Sequence, residues 1–193
     1  FNLPTEHLKS DTEIMARGPL SVHSYLRKND IDSILIDLAG TKEELWEGIP
    51  DSDFYGISTV TCQIFYAQCL AEFLKNRNPN AIIIMGGAHA KALPEDCLRN
   101  RGADIVSTGE GEDSTLELFR SKNPLASIPG FAFLDKQGKY INTGFATLER
   151  DIEKYYPLRF EDYGIYRYLQ PGVYSYLNKK DNDTQFNLMI SRG

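Results

Sequence analysis

Short runs of apolar residues alternate along this chain with segments whose apolar residues recur every three or four positions. The clearest run covers residues 81–85 and is followed at once by Gly86 and Gly87. Such a run is typical of a strand buried on both faces of a parallel sheet. The two glycines permit a tight turn and let a ligand approach the backbone closely. Because ligands of open α/β sheets bind at the carboxyl ends of the strands, this turn is a candidate binding site.

The alternation predicts a strand and a helix in turn, about five times over. Expected strands end near residue 4 and cover residues 31–38, 53–59, 81–85 and 103–108. Helices are expected over residues 18–29, around Trp46, over residues 62–77 and 94–101, and after Gly111.

The helix that starts near residue 62 has the clearest periodicity. Its apolar face is expected to contain Tyr66, Cys69, Leu70, Phe73 and Leu74. On this pattern we expect Cys69 to pack in the core as a small apolar side chain.

The period changes after Pro124. Residues 130–135 and 139–143 flank Lys136-Gln137-Gly138, which predicts a β-hairpin with a glycine in its turn. Residues 145–185 are rich in tyrosine and charge, and their periodicity is weak. We interpret them as a linker or an extension that packs on a neighbour.

These patterns predict an α/β fold in which a parallel, Rossmann-like (flavodoxin-like) sheet of about five strands is covered by helices on both faces. The predicted domain comprises residues 1–125, with the hairpin and linker extension in residues 126–185. Residues 186–193 resemble a new strand that leads into a turn. Because both ends of the sequence look cut, we interpret the chain as a fragment of a longer protein.

Composition excludes several classes of function. The formal net charge of −6 argues against a nucleic-acid surface, which needs clustered Lys and Arg. No apolar run approaches the length of roughly 20 residues that a membrane span needs, and no signal peptide opens the sequence. The odd number and wide spacing of Cys62, Cys69 and Cys97 favour reduced thiols in the cytoplasm over a disulfide framework.

The common phosphate-binding motifs are missing from the sequence. There is no Gly-x-x-x-x-Gly-Lys-Ser/Thr, and the Gly109-x-Gly111 pair lacks the third glycine of a dinucleotide fingerprint. Glu110 and Glu112 would repel a phosphate at the start of the following helix. A plain nucleotide ligand is therefore disfavoured.

The acidic residues of this turn have a second interpretation. Carboxylates in the first turn of a helix stabilise its positive end, and this explanation is favoured for Glu112 and Asp113. For Glu110, which lies between two glycines, a hydrogen bond to a neutral amide or ribose hydroxyl of a ligand is equally open.

Histidines and hydroxyl residues give two further candidates. His89 follows the double glycine, where we expect it to line a pocket or bond locally and not to hold a metal, and His7 and His23 have no metal-ligand spacing. Ser58 and Thr59 end the third predicted strand, where they would either contact a ligand or cap the next helix. We predict no catalytic and no metal-ligating residue.

In order and spacing, several stretches resemble the cobalamin-binding domain of cobalamin-dependent radical S-adenosylmethionine (SAM) enzymes. The matching stretches are Gly18-Pro19-Leu20-Ser21-Val22-x-Ser24-Tyr25-Leu26-Arg27, Asp53-Phe54-Tyr55-Gly56-Ile57-Ser58, Gly86-Gly87-Ala88-His89, Ala103-Asp104-Ile105-Val106 with Gly109-Glu110-Gly111-Glu112, and Ile128-Pro129-Gly130-Phe131-Ala132-Phe133. In that family a Ser-Arg-Gly such as Ser191-Arg192-Gly193 directly precedes the three cysteines that hold an iron–sulfur cluster. The resemblance thus implies that the cluster and the S-adenosylmethionine site belong to a following barrel of the same polypeptide.

The resemblance also implies the binding residues. The nucleotide tail of cobalamin is expected to contact three loops, with cofactor-binding residues Ser58, Thr59, Val60, Gly86, Gly87, Ala88, His89, Gly109, Glu110 and Gly111. The glycines would admit the bulky tail, while Ser58, Thr59 and Glu110 would offer hydrogen bonds. A bulky residue at Gly87 is expected to abolish binding and to leave the fold intact.

One motif departs from related cobalamin domains. Domains of the methionine synthase type contain Asp-x-His-x-x-Gly, whose histidine coordinates cobalt from below. We aligned this motif with Asp37-Leu38-Ala39-Gly40-Thr41, which has no histidine. The resemblance therefore implies a cobalamin without a histidine lower ligand, in an enzyme that transfers methyl groups or performs related radical chemistry on an unidentified small molecule or peptide. The alternative is a degenerate docking or substrate-positioning module that no longer binds cobalamin.

Overall fold

A computed structural model of the chain describes residues 1–5, 15–41, 43–146, 149, 151–163, 170–171 and 184–185. The strand expected from residue 186 and the Ser-Arg-Gly at its end lie outside the described residues. His7 and most of residues 164–185 also lie outside them. In the described ranges, no helix is long and apolar enough to cross a membrane.

Helices and strands alternate through the first two thirds of the chain. The helices are α1 (Arg17–Lys28), α2 (Ile64–Arg77), α3 (Ala88–Ala92), α4 (Pro94–Asn100) and α5 (Gly111–Arg120). The strands are β1 (Phe54–Ser58), β2 (Ile82–Gly86), β3 (Ile105–Ser107), β4 (Phe131–Leu134) and β5 (Tyr140–Asn142), with a separate two-residue pair, β6 (Gln170–Pro171) and β7 (Thr184–Gln185). Short 3₁₀ helices cover Glu43–Gly48, Thr61–Gln63, Leu125–Ser127, Ile152–Tyr155 and Phe160–Tyr163.

The main sheet has the strand order β1-β2-β3-β4-β5. β1, β2 and β3 pair in parallel, whereas β4 pairs antiparallel with both β3 and β5. The hairpin predicted around Gly138 therefore continues the sheet and covers the outer edge of β3. The Rossmann-like α/β class is confirmed, with parallel pairing confined to β1, β2 and β3.

The N-terminal segment lies beside β1 in the position of a further strand. The amide of Ser58 donates to the carbonyl of Phe1 at 3.2 Å, and the amide of Leu38 donates to the carbonyl of Asn2 at 2.9 Å. The strand predicted over residues 31–38 is reduced to one parallel bridge between Asn2 and Asp37. A longer ladder is prevented on this side because Pro4 has no N–H to donate.

Two apolar layers cover the sheet. On one face, Ile57, Met85 and Val106 pack with residues of α2 and α4 such as Leu70 and Leu74. On the other face, Ile84, Ile105 and Phe131 pack with Leu118 of α5. The run of residues 83–85 is thus buried from both sides, as a central parallel strand requires.

The prediction for Cys69 was wrong, because this residue is exposed. The buried stripe of α2 follows Ala67, Leu70, Ala71 and Leu74, which recur at helical spacing. Cys69 is two positions from Ala67, or about 200° around the helix, and therefore faces away from the sheet.

Residues 151–163, which we call the return segment, pack along α1. Lys28 Nζ near the C-terminus of α1 donates to the carbonyl of Lys154 at 2.9 Å. Closer to the N-terminus of the helix, His23 Nε2 lies 3.0 Å from Asp162 Oδ2. The return segment therefore runs antiparallel to α1.

Asp113 in the first turn of α5 fixes the start of the return segment. Its carboxylate accepts hydrogen bonds from Tyr25 of α1 at 2.9 Å and from Lys154 and Tyr155 at 2.8 Å. Burial alone would raise the pKa of Asp113, but these hydrogen bonds outweigh it and hold the pKa below its usual range.

We expect Asp113→Asn to lower the free energy of unfolding by about 1–2 kcal/mol at neutral pH, because three donors lose a charged acceptor at a half-exposed site. A depressed pKa stabilises the fold above the ordinary value of about 4, and this contribution disappears as the pH falls through the folded-state pKa. In urea titrations the difference between wild type and variant should therefore vanish at low pH. Asp53→Asn, at an exposed carboxylate before β1, is the matched control. A difference that persists unchanged at low pH would contradict this role for Asp113.

Candidate functional site

The carboxyl ends of β1, β2 and β3 lie at one edge of the sheet, where the strand order reverses. The N-terminal segment adjoins β1, but the chain next pairs at residues 36–38 on the opposite side of that segment before it forms β1. In open α/β sheets, ligands bind outside the carboxyl ends of the strands at such a reversal. The topology therefore places a crevice beside Ser58.

The loops that follow β1 and β2 are joined by backbone hydrogen bonds. The amide of Thr59 donates to the carbonyl of Gly86 at 2.9 Å, and the amide of His89 donates to the carbonyl of Thr59 at 3.2 Å. Thr59 is fully buried, and its hydroxyl donates to the carbonyl of Val60 at 3.1 Å. Thr59 thus contributes its backbone to the site, and neither it nor Ser58 caps the following 3₁₀ helix by a side-chain bond.

Gly87 is the closest contact between these two loops. Its φ of +91° lies in the left-handed region, and an added Cβ would lie 2.5 Å from the carbonyl oxygen of Thr59 and 2.9 Å from its nitrogen. A side chain at this position would displace the backbone of the neighbouring loop. The expectation that a bulky residue at Gly87 leaves the fold intact was therefore wrong.

Gly86 is different, because its position has room for a side chain. The register pairs Ser58 with Gly86, and a Cβ on Gly86 would lie 3.7 Å from the Cβ of Ser107, an ordinary contact. Ser58, Gly86 and Ser107 thus form a row across the carboxyl ends of the three parallel strands, on the face covered by α1 and α5. Because Gly86 has no side chain, the row has a gap between its two hydroxyl residues.

The face of the sheet below this row is also open beside β1. Gly56 is exposed, and a Cβ built on it would meet no atom within 4 Å. Its neighbour in the register, Ile84, belongs to the apolar layer of this face. The crevice therefore has an apolar floor and a polar rim, which is the usual character of a small-molecule site.

His89 lies at the start of α3 and is 6% exposed. Its Nδ1 is 3.2 Å from Thr61 Oγ1, so it bonds locally, as one interpretation expected. Its Nε2 is buried without a hydrogen-bond partner in the part of the chain that the structure describes. Ala88 beside it is exposed, as is Val60, so both lie at the rim.

The third predicted loop, Gly109 to Gly111, meets the same row from the side of α5. A Cβ on Gly111 would lie 3.3 Å from Val22 of α1 and 3.6 Å from Ser107 Oγ. Glu110 is exposed at the N-cap of α5, and it makes no side-chain cap bond to the helix. This position is compatible with contact to a ligand.

Glu112 has a role that its place in the sequence did not indicate. It is 1% exposed and accepts a hydrogen bond of 2.5 Å from Ser21 Oγ. The two residues are 91 positions apart, and the bond joins the N-terminal halves of α1 and α5. Glu112 therefore shapes the wall of the crevice instead of only favouring a helix terminus.

Gln63 was also missed from the sequence. Its amide nitrogen donates to the carbonyl of Leu3 at 2.8 Å and to Thr5 Oγ1 at 2.9 Å, while its amide oxygen accepts from the amide of Val60 at 3.1 Å. It therefore joins the two chain segments that border the reversal. A glutamine three residues after a helix start is half of a capping box and could have drawn attention to the bond with Val60. The bonds to Leu3 and Thr5 are long-range and leave no local pattern.

The loop at residues 37–41 lies elsewhere than the sequence alignment implied. Asp37 Oδ1 accepts from Asn2 Nδ2 at 2.9 Å and from the amide of Ala39 at 3.1 Å, which forms a turn on the outer side of the N-terminal segment. The crevice lies on the inner side, next to β1. The absence of histidine from residues 37–41 therefore does not by itself describe the ligand crevice.

Comparison with known proteins identifies the fold family. The sequence profile of the B12 binding domain matches residues 8–119, more than half of the chain. The chain belongs to the B12-binding domain family.

Two curated proteins are similar in sequence to part of this chain. The chain is 38% identical over 107 residues to Uncharacterized methyltransferase PH0819 of Pyrococcus horikoshii. This aligned region covers 54% of the chain and 23% of the relative. The chain is also 38% identical over 64 residues to Cytidylyl-2-hydroxyethylphosphonate methyltransferase of Streptomyces wedmorensis. This second aligned region covers 32% of the chain and 12% of the relative. The matched regions thus span less than a quarter of the length of each of these relatives.

Solved structures show the same fold. The cobalamin-dependent S-adenosylmethionine radical enzyme OxsB, with aqua-cobalamin and S-adenosylmethionine bound, superposes with a TM-score of 0.57 at 21% identity, over 69% of this chain and 20% of that one. The radical S-adenosylmethionine methyltransferase TsrM of Kitasatospora setae, with cobalamin and a [4Fe-4S] cluster bound, gives a TM-score of 0.61 at 15% identity, over 75% of this chain and 28% of that one. At these identities the similarity concerns the fold.

We expect Gln63→Ala to lower the free energy of unfolding by about 1–3 kcal/mol, because it leaves buried backbone groups of two segments without partners. Gln63→Glu should be destabilising as well, since a carboxylate cannot donate to Leu3. Chemical denaturation followed by circular dichroism measures both effects. Gln137→Ala, at an exposed turn position, is the control and should change stability little. Wild-type stability of Gln63→Ala would contradict the role of this residue at the reversal.

Proposed function

We propose that this domain binds cobalamin at the carboxyl edge of β1, β2 and β3, with the nucleotide tail in the crevice at the Ser58–Gly86–Ser107 row. The observation that carries the proposal is the gap at Gly86 above the open face beside Gly56, since together they leave a slot in an otherwise packed sheet. Membership of the B12-binding domain family supports the identity of the ligand.

The residues present fit such a ligand. Two buried polar atoms at this edge, His89 Nε2 and Ser107 Oγ, have no partner within the described ranges, and a ligand with hydrogen-bonding groups would satisfy them. Ser58 and Glu110 lie at the rim, where they would contact polar groups of the tail. Bound cobalamin would supply a cobalt centre able to carry a methyl group, while the domain binds and orients it.

The lower axial position of the cobalt is proposed to have no histidine ligand. His23 lies 2.9 Å from Ser33 Oγ through Nδ1 and 3.0 Å from Asp162 through Nε2, so both ring nitrogens are engaged away from the crevice. None of the three histidines has the Asp-x-His-x-x-Gly surroundings of a histidine-ligated cobalamin. Thr5 stands two residues before His7, where the motif has its aspartate, and the hydroxyl of Thr5 accepts a hydrogen bond from Gln63.

The whole protein is proposed to be a radical S-adenosylmethionine enzyme that transfers a methyl group or performs related radical chemistry. Both curated relatives are described as methyltransferases, and OxsB and TsrM are radical S-adenosylmethionine enzymes with cobalamin. The expected partner of the domain is a radical SAM barrel in the same polypeptide, which would hold the iron–sulfur cluster and S-adenosylmethionine. The described residues of this chain supply binding and orientation.

Gly86→Ala should weaken binding of hydroxocobalamin about tenfold, and Gly86→Val should weaken it further, because each added group narrows the slot without straining the free protein. Gel filtration with visible spectroscopy of the purified chain measures co-eluting corrin, and equilibrium titration gives the Kd. Gly48→Ala, at an exposed glycine with no atom near its Cβ position, is the matched control.

Two results would contradict the proposal in different ways. If wild-type chain elutes without corrin absorbance, the domain does not bind cobalamin by itself. If wild type binds and Gly86→Val binds equally well, the tail does not enter at the Ser58–Gly86–Ser107 row.

Electron paramagnetic resonance tests the lower ligand. Cob(II)alamin bound to ¹⁵N-labelled chain should give the same cobalt spectrum as cob(II)alamin bound to unlabelled chain, because no protein nitrogen coordinates cobalt. A nitrogen splitting that changes from a triplet to a doublet on labelling would show a histidine ligand. Loss of that splitting in His7→Ala would then assign it.

A further inference from the structure

Ser107, the last residue of β3, has a hydroxyl whose role the fold does not explain. The residue is 9% exposed, and its Oγ is buried with no hydrogen-bond partner within the described ranges of the chain. A buried hydroxyl without a partner costs free energy, so one that is present in a folded domain calls for an explanation.

Two glycines border Ser107 on the side of the crevice. Gly86 lies beside it in the row, and Gly111 faces it from the start of α5, with Cβ positions 3.7 Å from Ser107 Cβ and 3.6 Å from Ser107 Oγ respectively. Because both neighbours lack side chains, neither places a side chain between the hydroxyl and a narrow group bound at Gly86. The broad corrin ring cannot pass between packed strands and α5, whereas a tail can.

The nearby carboxylates determine which kind of ligand group can bind to the Ser107 hydroxyl. Glu110, Glu112 and Asp113 occupy the N-cap and first turn of α5, directly after Ser107 and its loop. Carboxylates in this position disfavour a phosphate, in spite of the positive end of the helix. A neutral hydroxyl, amide or ring nitrogen is compatible with them, because a serine hydroxyl both donates and accepts.

We propose that Ser107 is a specificity-determining residue of the crevice, whose hydroxyl forms a hydrogen bond with a neutral group of the nucleotide tail of cobalamin. This inference rests on the proposed function. It adds which side chain at the end of β3 recognises the tail, and that the recognition is a hydrogen bond to a neutral group. It also explains why the row has a buried hydroxyl at that end and a glycine in its centre.

The test uses Ser107→Ala together with a matched buried serine. Ser114 of α5 is 3% exposed, and its hydroxyl donates to the carbonyl of Pro129 at 2.7 Å, so its role lies within the fold. Ser107→Ala should leave the unfolding midpoint of the free chain unchanged or slightly higher, and should weaken hydroxocobalamin binding about tenfold. Ser114→Ala should do the reverse, lowering the midpoint and leaving the Kd unchanged.

Cobinamide, which has the corrin ring but no nucleotide tail, shows which part of the ligand is contacted. Its affinity should be equal for wild type and Ser107→Ala. Ser107→Cys keeps the shape of serine but forms only weak hydrogen bonds, so its loss of hydroxocobalamin affinity should approach that of alanine. A loss that depends on shape alone would spare this variant and overturn the proposal.

Three further results would overturn the inference and leave the proposed function standing. They are an unchanged Kd for hydroxocobalamin in Ser107→Ala while Gly86→Val still loses binding, an equal loss of cobalamin and cobinamide affinity in Ser107→Ala, and a drop in the unfolding midpoint as large as that of Ser114→Ala. Absence of hydroxocobalamin binding by wild type is a separate outcome, because it removes the proposed function together with this inference.

Discussion

The close approach of Gly87 to the backbone of Thr59 is the constraint on which the crevice depends. At this contact two loops from adjacent parallel strands come together, and the amides of Thr59 and His89 close the hydrogen bonds between them. With the loops fixed in this way, the Ser58–Gly86–Ser107 row is held at the register of the strands. The position of the candidate crevice thus follows from a backbone contact that only glycine permits.

The elements of the fold were predictable where the signal is local. The apolar run before Gly86, the Gly18-Pro19 helix start and the glycine turn at residue 138 each identify an element through spacing or backbone preference. The sequence could not show that the hairpin joins the sheet, since pairing of β3 with β4 is a contact between distant segments. The orientation of Cys69 was missed because both sides of α2 contain apolar residues, and the buried side is decided by which one meets the sheet.

The candidate site was predictable to a similar limit. Glycines after buried strands and a polar residue beside them mark a ligand edge, which is how Ser58, Gly86, Gly87 and His89 were found. Gln63, Glu112 and Ser107 were missed, because their importance depends on what they meet, or fail to meet, across the fold. The alignment of residues 37–41 with a ligand loop failed for a related reason. The order of strands in the sheet cannot be deduced from their order along the chain.

The direction of the return segment has a consequence for how a second domain would meet this one. The return segment begins near Lys28, at the end of α1 that is remote from the crevice. At Asp162 it contacts His23, which is two residues from Ser21 and its hydrogen bond to Glu112. If a second domain follows in the same polypeptide, as proposed, the return segment would lead to it from the ligand side of the sheet. Its encounter with a bound cofactor would then be intramolecular, at an effective concentration set by the connecting chain and not by diffusion.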